Sequence, residues 1–179
     1  MKAFRPDSAK LRELILYICN RCDLMPSWGR TKLAKLLYFS DFRHYRKHGR
    51  PITCAIYVCA PQGPIPDGFH DRLKELTKGG DLVEIKREIG DYSELRPTAV
   101  RPANLKDFAP EEISTVEWVI NEYAGLTATE LSEISHREPG WMLANPGERI
   151  PYEAALISKE RPTEEELDFL RKQLALEAR

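Results

Sequence analysis

The sequence predicts an α+β fold that is mainly α-helical: a compact helical domain with a small antiparallel β-sheet or hairpin. Three observations predict it. Apolar residues recur at three- and four-residue spacing through several long segments. Between these segments lie only short runs rich in Ile, Val, Tyr and Thr, two of which flank Gly90-Asp91. Glycines and prolines fall at the ends of the periodic segments, where they stop helices and fix turns. At 179 residues the chain suits a single domain over 1–179, and no repeat, low-complexity tract or linker divides it.

The elements follow in order. Asp7 or Ser8 can cap a first helix running to about Asp23, with Leu11, Leu14, Ile15, Ile18 and Cys22 on one buried stripe. Pro26 breaks the chain, Ser27 can cap a second helix from Trp28 to about His48, and Gly49 and Pro51 end it. Ile52 to Cys59 reads as a strand. Ala60 to Gly68 is a turn fixed by its prolines, since each locks its own φ and restricts its predecessor. Asp67 or Gly68 then opens a helix that Gly79-Gly80 stops after Lys78.

Leu82 to Ile89 and Tyr92 to Pro97 form a hairpin about Gly90-Asp91, with glycine first, as a type II′ turn wants. Pro110 begins a helix ending at Gly125, with Ile113, Val116, Ile120 and Tyr123 as its stripe. Thr127 and Glu130 have capping-box spacing and open a helix to about His136. Short helical turns follow at Trp141 to Ala144 and Tyr152 to Ile157. A last amphipathic helix, Glu164 to Glu177 within a 158–179 tail, carries Leu167, Leu170 and Leu174.

Composition narrows the function classes. The 27 Lys and Arg nearly cancel the 28 Asp and Glu, which argues against a dedicated nucleic-acid binder. The distribution is uneven: Arg30 to Arg50 holds seven basic residues and one acid, Asp41, whereas Glu160 to Asp168 is an acidic run. The start lacks a hydrophobic signal core, and the longest useful apolar run, Leu14 to Cys19, is far too short to span a bilayer. A cytoplasmic location, with no membrane partner, is expected.

On a helical wheel Lys32, Lys35, Arg43 and Arg46 crowd one arc with Phe39, which reads as the solvated side. The remainder holds Leu33, Ala34, Leu36, Leu37, Tyr38, Phe42 and Tyr45, and Asp41 and His44 fall inside it. These two polar residues are therefore expected inside the domain, hydrogen-bonded to each other or to nearby loops; a contact with a partner or ligand is the sharper alternative.

No metal or cofactor is expected. A zinc helix of the HEXXH type needs glutamate after its first histidine, and Tyr45 follows His44. Cys19-x-x-Cys22 lies in the leucine stripe rather than at a helix start, and on an extended strand Cys54 and Cys59 point to opposite faces. Ser135 adjoins His136, but helical neighbours point about 100° apart and cannot act as nucleophile and base. No catalytic constellation emerges.

The order Lys35-Leu36-Leu37-Tyr38-Phe39-Ser40-Asp41 with His44, Gly63-Pro64, Leu131-Ser132, Ser135-His136, Trp141 and Ile150-Pro151-Tyr152-Glu153 resembles the Panacea, or SocA-like, antitoxin domain, also called DUF4065. The resemblance is strongest over 28–157. Gln62 departs from it, standing where that family usually has tyrosine before Gly-Pro. The resemblance implies a bacterial or phage antitoxin that neutralises a cognate toxin, usually a genetic neighbour's product, by direct binding, and in some members by handing the toxin to a protease. It implies no enzyme activity and carries over no catalytic residue. Tyr38, Asp41, His44, Gly63, Pro64, His136 and Trp141 are the candidate partner-binding positions. The competing reading is a winged-helix-like DNA-binding regulator, with Asp67 to Lys78 as recognition helix and the Gly90-Asp91 hairpin as wing. A third is a phage-derived interaction protein without a toxin partner.

Overall fold

The computed structural model describes residues 4–25, 27–89 and 92–157. The expected turn residues Gly90-Asp91, the Pro26 break and the expected helix Glu164 to Glu177 lie outside them. Six α-helices, five short or medium strands and one 3₁₀ turn make up the described part, an α+β fold dominated by helix.

Helix α1 (Ser8–Cys22) starts where the Asp7 carboxylate accepts from the Lys10 backbone N–H at 2.9 Å. Its leucine stripe is buried as periodicity predicts, joined by Leu16 and Cys19. Helix α2 (Arg30–His48) begins at Gly29 without a side-chain cap, so Ser27 does not play the role expected of it. It ends at Gly49 in the left-handed region, whose N–H bonds the Tyr45 carbonyl.

Helix α2 is the axis of the domain. It packs against α1 and, further along the chain, α4 (Pro110–Tyr123) and α5 (Ala128–His136), with β-strands and the 3₁₀ turn at its remaining sides. Every residue from Lys32 to Phe42 is consequently buried. This corrects the wheel reading: Lys32 and Lys35 are 0% and 2% exposed, and only Arg43 and Arg46 of that arc face outward. A wheel gives angles around one helix and assumes a wet side; a helix surrounded by others has none until its last two turns.

The expected strand Ile52 to Cys59 shrinks to β1 (Tyr57–Val58). Residues before it cannot pair with a neighbour because their backbone groups are taken: the Thr53 N–H by Asp41, the Thr53 carbonyl by Asp7, the Ala55 carbonyl by Tyr152. Cys54 also sits at φ +56°, outside strand geometry. β1 is the middle of a three-stranded antiparallel sheet with β2 (Ile65–Pro66) and β5 (Arg149–Ile150), pairing Tyr57 with both Pro66 and Ile150.

Helix α3 (Phe69–Lys78) precedes the hairpin of β3 (Leu82–Ile89) and β4 (Tyr92–Ala99), whose register runs from Leu82 opposite Ala99 to Ile89 opposite Tyr92. Trp28, fully buried, ties the start of α2 to this hairpin by donating to the Pro97 carbonyl at 2.8 Å. The Thr127–Glu130 capping box forms as predicted. Helix α6 (Pro139–Leu143) and the 3₁₀ turn Tyr152–Leu156 occupy the places read as short helical turns. Gly140 is where these two approach: a Cβ there would lie 2.6 Å from an Ile150 methyl and 2.9 Å from the Ala154 Cβ.

Candidate partner-binding site

The seven candidate residues fall into two neighbouring groups, both anchored on α2. The first group holds a loop. Asp41, wholly buried, accepts from the Thr53 backbone N–H at 2.8 Å, from the Thr53 hydroxyl, and from the Tyr57 hydroxyl at 2.9 Å. Burial raises its pKa, opposed by those hydrogen bonds. His44, one turn along, donates from Nδ1 to the Arg50 carbonyl at 2.7 Å, and its ring stacks on that of His48 at 4.4 Å. Asp41 and His44 thus each grip a loop, not one another. Tyr38 is buried in the aromatic packing beside them, 4.2 Å from Phe42 and 5.6 Å from Tyr57 between ring centroids.

The second group gathers around the turn Ala60–Pro64. Gly63 has φ +97°, and a Cβ built there would lie 2.1 Å from the Ser135 hydroxyl and 2.9 Å from Lys35 Nζ. Only glycine fits, on both conformational and steric grounds. Lys35 donates to the Pro64 carbonyl at 2.9 Å, and Ser135 donates to the Ser132 carbonyl at 2.8 Å. Trp141 donates from its indole N–H to the Ala60 carbonyl at 3.0 Å, and His136 stacks on its ring at 4.0 Å. Helix α2, the turn and the α5–α6 corner are therefore joined through Lys35, Gly63, Pro64, Ser135, His136 and Trp141.

The wheel put Lys35 on the wrong side and did not distinguish Lys32. Lys32 donates to the carbonyls of Ala124 and Leu126, at 3.0 and 2.6 Å, just past the end of α4. Lys35 meets one carbonyl and, among the described residues, no carboxylate within ion-pair distance; burial alone pushes its pKa down to about 7. Tyr57 and Tyr152 were also missed as anchors, although a tyrosine amid strong apolar residues is a signal that its hydroxyl needs a partner. Tyr152 donates to the Ala55 carbonyl at 2.6 Å, completing the clamp on the loop that Asp41 holds.

Two openings flank these groups. One, about 310 Å³, lies between α2, the turn and the start of α3, with Lys35 and Gly63 in its wall. The other, about 110 Å³, lies beside Tyr38, Phe42 and Trp118, where the Arg43 guanidinium sits 3.2 Å over the Trp118 ring. Cys19 and Cys22 are buried in α1 with pKa values raised by desolvation, that of Cys22 to about 12. Among the described residues, no three His, Cys, Asp or Glu side chains gather closely enough to hold a metal ion. Nor, among those residues, is any helix long and apolar enough to cross a membrane.

Comparison with known proteins agrees with the motif order. The profile of the family described as "Antitoxin SocA-like, Panacea domain" matches residues 33–142, from the start of α2 to the α6 corner. No curated protein and no solved structure matches the chain. With well over half of its length matched, and with both groups of α2 contacts inside the matched span, the chain belongs to the SocA-like antitoxin family that carries the Panacea domain.

Proposed function

We propose that this protein is the antitoxin of a toxin–antitoxin pair and suppresses its toxin by direct binding, without chemistry of its own. The family match carries this reading. The placement of the motif residues supports it: Asp41, His44 and Trp141 bond backbone carbonyls, hydroxyls and amides that fix loops, and Ser135 bonds within α5. Such rigidity lowers the entropic cost of binding, since loops already held in place need not be ordered by the partner. The partner is a toxin protein encoded next to this one. In this reading the protein acts by occupying the toxin, and no cofactor takes part.

A DNA-binding role for α3 and its hairpin is the weaker reading. Lys74 pairs with Asp71 at 2.9 Å and Arg72 with Glu75 at 2.8 Å, so two cations of that helix, though not Lys78, are neutralised on the helix itself.

The test is co-expression with the product of the adjacent reading frame, scored by growth and by co-purification. Restored growth together with a stable complex is the expected result. Undiminished toxicity in the presence of abundant, folded protein would overturn the proposal.

A further inference from the structure

We infer that the 310 Å³ cavity over Lys35 is a carboxylate-recognition site, receiving an acidic side chain from an extended segment of the protein partner. The inference rests on the proposed function only for the partner's being a protein. The site itself is argued from charge and space.

Three other buried charges among the described residues have more partners or a counter-charge. Lys10 meets Glu112 at 2.6 Å, Lys32 reaches two carbonyls, and Asp41 accepts three hydrogen bonds. Lys35 differs. Its ammonium has three N–H groups and donates one, to the Pro64 carbonyl. Gly63 brings the turn so close that Lys35 Nζ and the Ser135 hydroxyl both lie within 3 Å of the place a Cβ would take, at 2.9 and 2.1 Å. Lys35 lines the cavity, and among the described residues its amine has no second hydrogen-bond acceptor.

The rest of the lining favours an anion. Arg30, Thr31, Gln62 and His70 surround the opening with donors, Phe69 and Ile65 supply apolar wall, and none of the described lining residues is Asp or Glu. Arg30 is already bound through Nε and Nη2 to the Glu84 carboxylate. Its charge is therefore spent, and His70 is exposed. Among the described lining residues that leaves Lys35 as the buried amine without a carboxylate partner, and a single amine suits a monoanionic carboxylate better than a phosphate dianion.

The cavity is not closed. It shares Arg30, Thr31, Gln62 and His70 with a second cleft of about 610 Å³ that runs past Glu94, its one acidic side chain among the described lining residues, to Thr127 at the start of α5. That continuity gives room for residues on either side of an inserted Glu or Asp, so the ligand is a side chain on a polypeptide rather than a free small acid.

The test uses the full chain, labelled with ¹³C and ¹⁵N, titrated separately with N-acetyl-glutamyl-amide, N-acetyl-glutaminyl-amide and inorganic phosphate. The Gly63 amide and the Lys35 Cε resonances are followed. The glutamyl probe is expected to give saturable shifts and to raise the apparent Lys35 pKa by about one unit or more, because a bound carboxylate favours the ammonium. The glutaminyl probe is expected to do neither. Lys35→Met, checked for a dispersed spectrum, should weaken glutamyl binding by about tenfold or more; should that variant not fold, the wild-type pKa response decides alone. Equal responses to the two peptides, or no response to either, overturn the inference. Tighter binding of phosphate overturns it too, making the site a phosphate site. Loss of this site with intact neutralisation in co-expression leaves the antitoxin reading standing, and the converse result leaves the site standing.

Discussion

Asp41 and Gly63 are two positions where a few atoms decide the local structure. Removing the Asp41 carboxylate leaves the Thr53 N–H and two hydroxyls without their acceptor in a place water does not reach. Asp41→Ala is expected to cost about 1–3 kcal/mol in a denaturant titration. An unchanged midpoint with lost neutralisation would instead make Asp41 a contact residue. At Gly63 conformation and space act together: Gly63→Ala is expected to cost about 3 kcal/mol, strain at positive φ plus overpacking against Ser135. Gly68→Ala is the control, since it also has positive φ (+67°) but nothing within 4 Å of the added Cβ; about 1 kcal/mol is expected. Equal losses at the two glycines would mean that the Ser135 contact relaxes freely. Asp41 was legible in the sequence because a carboxylate inside an apolar arc has one physical outcome, burial with partners. Lys35 was not, because the same periodicity fits a wet face or a third packed neighbour, and only the tertiary arrangement separates them.

At the scale of elements, α2 shows how one helix uses two buried lysines differently. Lys32 is the cap of α4, lending its ammonium to carbonyls at the negative end of that helix. Lys32→Met should therefore destabilise the fold by about 1.5–3 kcal/mol, measured as a shift in chemical-denaturation midpoint, since charged hydrogen bonds to two carbonyls are lost. Lys35→Met removes an ammonium with one carbonyl partner and should be far milder; a greater loss at Lys35 than at Lys32 would reverse the assignment. Most helices were readable from their ends: Asp7, Gly49, Pro110 and the Thr127–Glu130 box all act as their chemistry predicts. The strand from Ile52 was over-read because β-branched composition reports fitness for an extended, half-buried backbone and not the presence of a pairing partner. In that stretch Asp41, Asp7 and Tyr152 take the backbone groups a sheet would have used.

The whole molecule sums these local terms into its dependence on pH, and Lys35 contributes to one window of it. Its folded-state pKa is pushed from 10.5 to about 7 by burial, so between those values the unfolded chain holds the proton that the folded chain has lost. Stability from this group therefore rises with pH across the window, with a limiting slope of about 1.4 kcal/mol per pH unit for one proton. Below about pH 7 both states carry the ammonium, and the desolvation penalty is present in full. Carboxylates held low by arginines, Glu13 by Arg101, Asp81 by Arg12 and Arg101, and Glu117 by Arg21, act in acid and with the opposite consequence: their stabilisation is lost as pH falls through their folded-state values. They are common to the wild type and to Lys35→Met, so the difference between the two proteins isolates Lys35. Lys35→Met is expected to be no less stable than the wild type at pH 6. Any advantage should shrink steadily toward pH 10, where the wild-type amine is neutral in the folded state and increasingly neutral in the unfolded one. Paired urea titrations at pH 6, 8 and 10 measure this directly. A stability difference that stays constant over the range would mean that Lys35 keeps an ordinary pKa in the folded protein.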